Sequence, residues 1–159
     1  NIGDCIIIAL GTNDISLNGF DGNVSTDINM QDRSQNALTA VGGYANIIQA
    51  IKEVNPKAII FCASVTNDRN GDEERAAANE KIQDIAELFG CYYLDMATYA
   101  ENTPASLEWF KQTFKNDSHN NALGYNVRAR QYATYIDWII SSSLRDFRKI
   151  QFIGTNYDF

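Results

Sequence analysis

The chain has 159 residues, which is enough for one domain with a buried core. Its formal net charge of −7 and pI near 4.6 argue against binding to nucleic acid or to anionic membrane surfaces. No apolar run approaches the roughly 20 residues of a membrane-spanning helix, and the first residues do not form a signal sequence. We therefore expect one domain that is soluble as given.

The first apolar run covers residues 5–10 and ends at the polar sequence Gly11, Thr12, Asn13 and Asp14. An apolar run without alternation is typical of a parallel strand that is covered on both faces. In open α/β sheets, ligands bind beyond the carboxyl ends of the strands, so residues 11–14 are candidate site residues. An ordinary turn is the alternative, since Gly, Asn and Asp also favour turns.

The rest of the chain alternates between helical and extended patterns. We predict a long loop over residues 15–35, helices over 36–54, 72–89 and 121–141, strands over 57–64 and 91–96, and a short helix after Pro104. This order predicts a parallel α/β sheet with right-handed crossovers and helices on both faces. Residues 1–145 would form the domain, and residues 146–159 would form a tail that could hold one more short strand.

Three strands make a thin sheet for this fold class. The first strand is the most apolar, and a strand of that composition should have neighbours on both sides. An open apolar edge is an aggregation hazard, so we expect that a further strand belongs beside this one and is missing from the three predicted here.

The cysteines are predicted to be buried thiols. Cys5, Cys62 and Cys91 each lie in or at the start of a predicted strand, and their spacing does not match a metal site or a disulfide framework.

The single histidine, His119, lies in a polar loop before the last predicted helix. That loop follows the last strand, and therefore lies on the same side of the sheet as residues 11–14. A lone histidine on an apolar face is usually structural, but a histidine in this loop can act as a general base near neutral pH. Asn13 offers an N–H donor to a developing oxyanion, a contribution of ~3–4 kcal/mol in other enzymes.

These two motifs resemble those of the SGNH (GDSL-type) hydrolases. The sequence Gly11, Thr12, Asn13, Asp14 resembles the third block of that family, and residues 119–125 resemble the fifth block. The resemblance extends over roughly residues 4–141. It implies a three-layer α/β/α, flavodoxin-like fold that is incomplete at its N-terminal side. It also implies hydrolysis of esters, often acyl or acetyl groups on carbohydrates or lipids, without a metal or another cofactor, and an extracellular or cell-surface location.

The resemblance also implies roles for individual residues. Asn13 would be an oxyanion-hole donor and His119 the general base, with Gly11, Thr12 and Asp14 on the substrate side. The family's catalytic Asp stands three residues before the His, where this chain has Asn116, with Asp117 one place later. An Asn can orient the imidazole but does not stabilise imidazolium as a carboxylate does. Asp117 in a shifted loop, or a His–Ser dyad, are the alternatives.

The family's G-D-S block, which carries the nucleophile, lies upstream of the third block and is not found here. Cys5 is a poor substitute, because it begins the strand whose far end carries the site. We interpret Ser16, Ser34 and Ser64 as solvent or turn serines. The nucleophilic serine would then come from a missing N-terminal segment or a second chain, and this chain alone would be inactive.

Two other functions remain open. A non-catalytic glycan-binding or structural module with a degenerate SGNH fold is favoured by Asn116 at the acid position. A flavodoxin-like nucleotide or flavin binder has the same alternation of elements, but the sequence has no Gly-rich phosphate loop.

Overall fold

The computed structural model describes residues 5–66, 72–99, 119–143 and 147. The strands are β1 (Cys5–Ile8), β2 (Ile59–Ala63) and β3 (Tyr92–Leu94). The helices are α1 (Thr12–Asn18), α2 (Val24–Asp27), α3 (Ala40–Val54), α4 (Asp72–Leu88), α5 (Met96–Tyr99) and α6 (Ala122–Ser142). A 3-10 turn covers Arg33–Gln35. Over these ranges, no helix is both long and apolar enough to cross a bilayer.

The strands form one parallel sheet, as predicted, and their order in it is β1-β2-β3. Ile7 pairs with Phe61, and Phe61 pairs in turn with Tyr92. Helix α3 connects β1 to β2 and α4 connects β2 to β3, so each connection is a parallel β-α-β crossover. The predicted α/β class is therefore confirmed.

Two apolar clusters separate the sheet from its helices. On one face, Ile8, Ile60 and Cys62 of the strands pack with buried side chains of α3 and α4, which include Val41, Ile48, Ile82 and Ile85. On the other face, Phe61, Ala63 and Leu94 pack with Met96 and with Ile139 of α6. Helices therefore lie on both faces, which confirms the predicted three-layer α/β/α arrangement.

Strand β1 differs from the prediction that both of its faces are covered. Ile8 is buried, but Cys5 is exposed and the exposed fraction of Ile7 is 44%. The cause is the placement of α6, whose apolar residues pack over β2 and β3 and not over β1. The expected open edge is present in the described sheet, because β1 pairs there with β2 alone.

The predicted loop over residues 15–35 is wrong, because it contains helical turns. Polar caps form them: Asn23 Oδ1 accepts from Ser25 N at the start of α2, and Asp32 Oδ1 accepts from Ser34 N in the 3-10 turn. Two other bounds shift for the same reason. Thr39 Oγ1 accepts from Gly42 N, so α3 begins later than expected. Asp95 Oδ1 accepts from Thr98 N, so the chain turns helical after β3.

Helix α4, helix α6 and strand β2 agree with their predicted ranges to within a few residues. The predicted helix after Pro104 lies outside the described residues. The tail also lies outside them, apart from Phe147, whose ring packs on Tyr92 with a centroid distance of 5.7 Å.

Candidate active site

The turn after β1 requires glycine at position 11. Gly11 has a φ of +116°, and a Cβ atom at this position would lie 3.1 Å from Val65 Cγ2 and 3.2 Å from Phe20 Cε2. The carbonyl oxygen of Gly11 accepts from Ile15 N at 3.0 Å, which begins α1. Ile15 and Phe20 are buried in the core. Thr12, Asn13 and Asp14 therefore lie in the first turn of α1, a helix that is held in place by the buried side chains of Ile15 and Phe20.

Asn13 and Asp14 are exposed at this position, whereas Thr12 is half-buried. A cleft of about 310 Å³ opens beside Gly11 and Asp14. Its other walls are mainly apolar and come from the segment around Phe20 and from the start of α3. The predicted site residues of the first motif thus lie at one edge of the sheet, next to a small cleft.

The carboxyl end of β2 is held by two polar side chains. Asn79 of α4, which is buried, accepts from Val65 N at 2.7 Å and donates to Val65 O at 3.0 Å. Ser64 is also buried, and its Oγ accepts from Ala97 N at 2.8 Å. The interpretation of Ser64 as a solvent serine is therefore wrong, since it connects the ends of β2 and β3.

The remaining serines give no elbow between a strand and a helix in the described residues. Ser34 is exposed and its Oγ donates to Asp32 Oδ1 at 2.7 Å, which agrees with a turn serine. The backbone of Ser16 belongs to α1, and its side chain is outside the described structure.

His119 is exposed and stands two residues before Asn121, the N-cap of α6, whose Oδ1 accepts from Gly124 N at 2.9 Å. The direction of α6 follows from its contacts. Tyr135 of α6 packs on Tyr99, beyond the carboxyl end of β3, with a centroid distance of 6.1 Å, whereas Phe147 beyond the end of α6 packs on Tyr92 at the start of β3. Helix α6 therefore begins towards the carboxyl edge of the sheet, the edge that also carries Asn13.

A groove lies between α5 and α6 and has a volume of about 840 Å³. Its walls combine the aromatic rings of Tyr99, Tyr135 and Trp138 with the polar side chains of Arg130 and Gln131. The groove runs along α6 and lies apart from Gly11 and its cleft. On α6, Ile139 is buried in the core, whereas the exposed fraction of Tyr125 is 60%.

Asn116 and Asp117, the two candidates to support His119, lie outside the described residues, and their roles stay predictions. Cys5 lies at the amino end of β1, at the opposite edge of the sheet from Gly11. Cys62 is buried as predicted, Cys91 is half-buried, and the expectation of burial is wrong for Cys5. Across the described ranges, no group of three His, Cys, Asp or Glu side chains is placed to hold a metal ion.

Burial and hydrogen bonding raise the pKa values of several tyrosines and thiols that pack against the sheet. Burial raises the pKa of Tyr93 to about 12, and it also raises the pKa of Tyr44, whose hydroxyl donates to Ile8 O at 3.4 Å. A hydrogen bond with Cys91, together with burial, raises the pKa of Cys62. All three groups remain protonated at neutral pH and act as packing and hydrogen-bonding groups.

The sequence reasoning missed Asn79. The signal was present, because Asn79 follows Ala78 on the side of α4 that also carries the buried residues Ile82 and Ile85. A polar residue on such a face needs a hydrogen-bond partner.

Comparison with known proteins gives a consistent picture. The family model described as GDSL-like Lipase/Acylhydrolase family matches residues 3–127. One solved structure matches with a TM-score of 0.69 and 16% identity, over 86% of this chain and 65% of the other. A protein assigned as a GDSL-like lipase from Parabacteroides merdae matches with a TM-score of 0.58 and 16% identity, over 84% of this chain and 60% of the other.

A variant of an acetyl-xylooligosaccharide esterase from Geobacillus matches with a TM-score of 0.48 and 16% identity, over 84% of this chain and 59% of the other. No curated protein matches. The chain thus spans less than two thirds of the length of each of these structures. At this identity the first two support the fold alone. The match of the family model over most of the sequence decides the family. The chain belongs to the GDSL-like lipase/acylhydrolase family.

Proposed function

We propose that this chain supplies the general base, His119, and an oxyanion donor, Asn13, to a serine ester hydrolase. The observation that carries the proposal is their common edge: the Gly11 turn exposes Asn13 beyond β1, and α6 begins just after His119 towards the same edge. This is where ligands bind in open α/β sheets, and the chain belongs to a family of acylhydrolases.

In the proposed reaction, a serine Oγ attacks the ester carbonyl while His119 accepts the hydroxyl proton. The carbonyl oxygen becomes an oxyanion, to which Nδ2 of Asn13 donates a hydrogen bond. The C–O bond to the alcohol then breaks, and His119 returns the proton to the leaving oxygen. Water, activated by His119, hydrolyses the acyl-serine and regenerates the hydroxyl group. Asp117 or Asn116 orients the imidazole in this proposal.

We infer that the nucleophilic serine lies on a segment outside these 159 residues or on a second chain. Two features of β1 support this: the strand has an unpaired edge in the described sheet, and Ile7 and Leu10 are 44% and 49% exposed. A partner segment that added a strand along the edge of β1 and a helix over the exposed face would remove both features. Its serine would then lie at the carboxyl edge, beside Gly11.

The proposed substrate is an acyl or acetyl ester of a carbohydrate or lipid, with Gly11, Thr12 and Asp14 on the substrate side. The walls of the 310 Å³ cleft beside Gly11 are mainly apolar, which suits a small acyl group. An extracellular or cell-surface location belongs to the same proposal.

The test is hydrolysis of a chromogenic acetyl ester by the protein that includes the serine-bearing segment. His119→Ala should lower turnover by roughly 10²–10⁴-fold, because the general base is lost. Asn13→Ala should lower kcat by roughly 10²–10³-fold with little change in KM. Ser34→Ala, a change at an exposed turn, is the control and should leave turnover unchanged. Unchanged turnover in His119→Ala would overturn the proposal.

A second candidate, a non-catalytic glycan-binding or structural module, is favoured by Asn116 at the position of the catalytic acid. A serine-directed phosphonate separates the two. Stoichiometric labelling of the complete protein supports the hydrolase. Absence of both labelling and turnover supports the module.

A further inference from the structure

We propose that Asn79 is a positioning residue for the oxyanion donor Asn13, and that it acts through Val65 and the Gly11 turn. This inference rests on the proposed function, because it assigns Asn79 a part in the same reaction. Asn79 lies on α4 and belongs to neither of the two motifs at the candidate site.

The backbone of Val65 is held by Asn79. Val65 lies two residues beyond the end of β2, and its N–H and its carbonyl oxygen both bind the Asn79 amide, at 2.7 and 3.0 Å. Val65 and Asn79 are 4% and 8% exposed, so water competes little for these groups. A primary amide carries an acceptor oxygen and an NH2 donor group side by side, which match the N–H and the carbonyl oxygen of a single residue. The side chain of Asn79 therefore sets the path of the chain after β2.

The side chain of Val65 contacts the turn after β1. Val65 Cγ2 lies 3.1 Å from the position that a Cβ of Gly11 would occupy, so the Val65 side chain packs directly against the Gly11 backbone. The carbonyl oxygen of Gly11 accepts the first hydrogen bond of α1, from Ile15 N, and Asn13 lies in the first turn of that helix. A shift of Val65 would therefore move the Gly11 backbone and, with it, the first turn of α1 that carries Asn13.

Phe20 is the second residue that packs against Gly11, and it is also held by a side chain of α4. The other neighbour of Gly11 is the ring of Phe20, and the carbonyl oxygen of Phe20 accepts from Lys81 Nζ at 2.6 Å. Both residues behind Gly11 are thus bound by side chains of α4. Because misplacement of a catalytic group by about 1 Å can cost roughly 10²-fold in rate, this support bears on the reaction.

The experiment is a double-mutant cycle on acetyl ester hydrolysis by the complete protein, with rates normalised to phosphonate-titrated active sites. Asn79→Ala should lower kcat by roughly tenfold and leave KM nearly unchanged, because the oxyanion forms only in the transition state. In the Asn13→Ala background, the same change should cost less than about twofold, since residues that act as a unit are not additive. Equal losses in both backgrounds would overturn the positioning role.

The matched control is Ile85→Val. Ile85 is fully buried on the same helix but lies closer to its carboxyl end, and α4 runs back from the carboxyl edge of the sheet. This change should lower stability and leave normalised kcat unchanged. A loss of kcat equal to that of Asn79→Ala would mean that general loosening of α4 explains both effects, and would overturn the inference.

If Asn79→Ala does not fold, Val65→Ala replaces it in the cycle. It keeps both backbone hydrogen bonds to Asn79 and removes the methyl groups behind Gly11, so non-additivity with Asn13→Ala is again expected and additivity overturns the inference. The proposed function fails in a different way. If Asn13→Ala leaves kcat unchanged, the oxyanion role itself is wrong; if Asn13→Ala is impaired and the cycle is additive, only the role of Asn79 is wrong.

Discussion

The two faces of the sheet differ at β1. On the face that α3 and α4 cover, burial is continuous: Ile8 of β1 is 5% exposed and Ile60 of β2 is 2% exposed. On the face that α6 covers, Phe61 of β2 is fully buried, but Ile7, its register partner on β1, is 44% exposed. We call the first face the finished face, because α3 and α4 cover it over all the described strands. We call the second the unfinished face, because α6 covers it over β2 and β3 only.

This difference follows from the connections. A right-handed crossover places its helix over the two strands that it connects, so α3 necessarily covers β1 and β2 on one face. No connection of that kind places a described helix over β1 on the other face. An exposed apolar strand of this kind marks an interaction surface or an aggregation hazard. We assign it to the proposed serine-bearing segment.

The largest expected effect is a difference in the free energy of unfolding between substitutions at two adjacent residues of β1. Ile8→Ala should lower the free energy of unfolding by about 2–5 kcal/mol, because it leaves a cavity in the finished face. Ile7→Ala should lower it by less than about 1 kcal/mol, because Ile7 is half in solvent already. Denaturant unfolding followed by circular dichroism measures both. Equal losses would show that the second face is covered in solution.

The next effect concerns the Gly11 turn, which packs on the finished face. Gly11→Ala should cost roughly 1–3 kcal/mol, because φ is +116° and the added Cβ would press on Val65 and Phe20. Gly43→Ala in α3 is the matched control: its added Cβ meets open space, so the change should stabilise by about 0.5–1 kcal/mol. A stable Gly11→Ala variant with full activity would contradict the described turn.

A smaller effect depends on pH. Burial on the finished face raises the pKa of Tyr93 to about 12, whereas an unfolded tyrosine titrates near 10. Below pH 10 both states keep the proton, so stability does not change. Between pH 10 and 12 the unfolded state loses the proton first, so stability falls as the pH rises. Because Tyr93 is only half-buried and solvent screens it, the fall should be well below the limit of about 1.4 kcal/mol per pH unit for one group.

Tyr93→Phe removes that contribution. Stability of the variant should fall less steeply than that of the wild type between pH 10 and 12, and the two slopes should agree near pH 8. Chemical unfolding at several pH values measures both slopes. Identical slopes across the alkaline range would mean that Tyr93 is open to solvent in the folded state.

The fold was predictable from sequence where the apolar pattern is long. The helices α3, α4 and α6 follow such periodic stripes, and strands β2 and β3 follow continuous runs. Helices α1 and α2 were not predictable, because they depend on caps such as Asn23 and on the Gly11 turn. The exposure of Ile7 was equally hidden, since the short apolar run over residues 5–10 does not distinguish a strand with one buried face from a strand with two.

The roles proposed for the candidate site residues stay predictions from the sequence. Asn13 and His119 come from short motifs whose chemistry is readable without a structure. Asn79 does not, because its role depends on contacts with Val65, a residue 14 positions earlier in the sequence. Long-range contacts of this kind depend on how the crossover returns α4 to the sheet.

The smallest effect is a labelling rate, and it tests the unfinished face without any change of sequence. Cys5 is exposed on the same face of β1 as Ile7, whereas Cys62 is fully buried on the finished face. A maleimide should therefore label Cys5 in the folded chain and label Cys62 only after unfolding. Partial shielding raises the pKa of Cys5, so its labelling should accelerate as the pH rises.

Mass spectrometry of the labelled peptides identifies the thiol, and Cys5→Ser is the control that removes the fast phase. In the protein that includes the serine-bearing segment, the helix that this segment places over the face should protect Cys5. Equal labelling of Cys5 with and without that segment would place the segment elsewhere and leave the exposed face of β1 to a different partner.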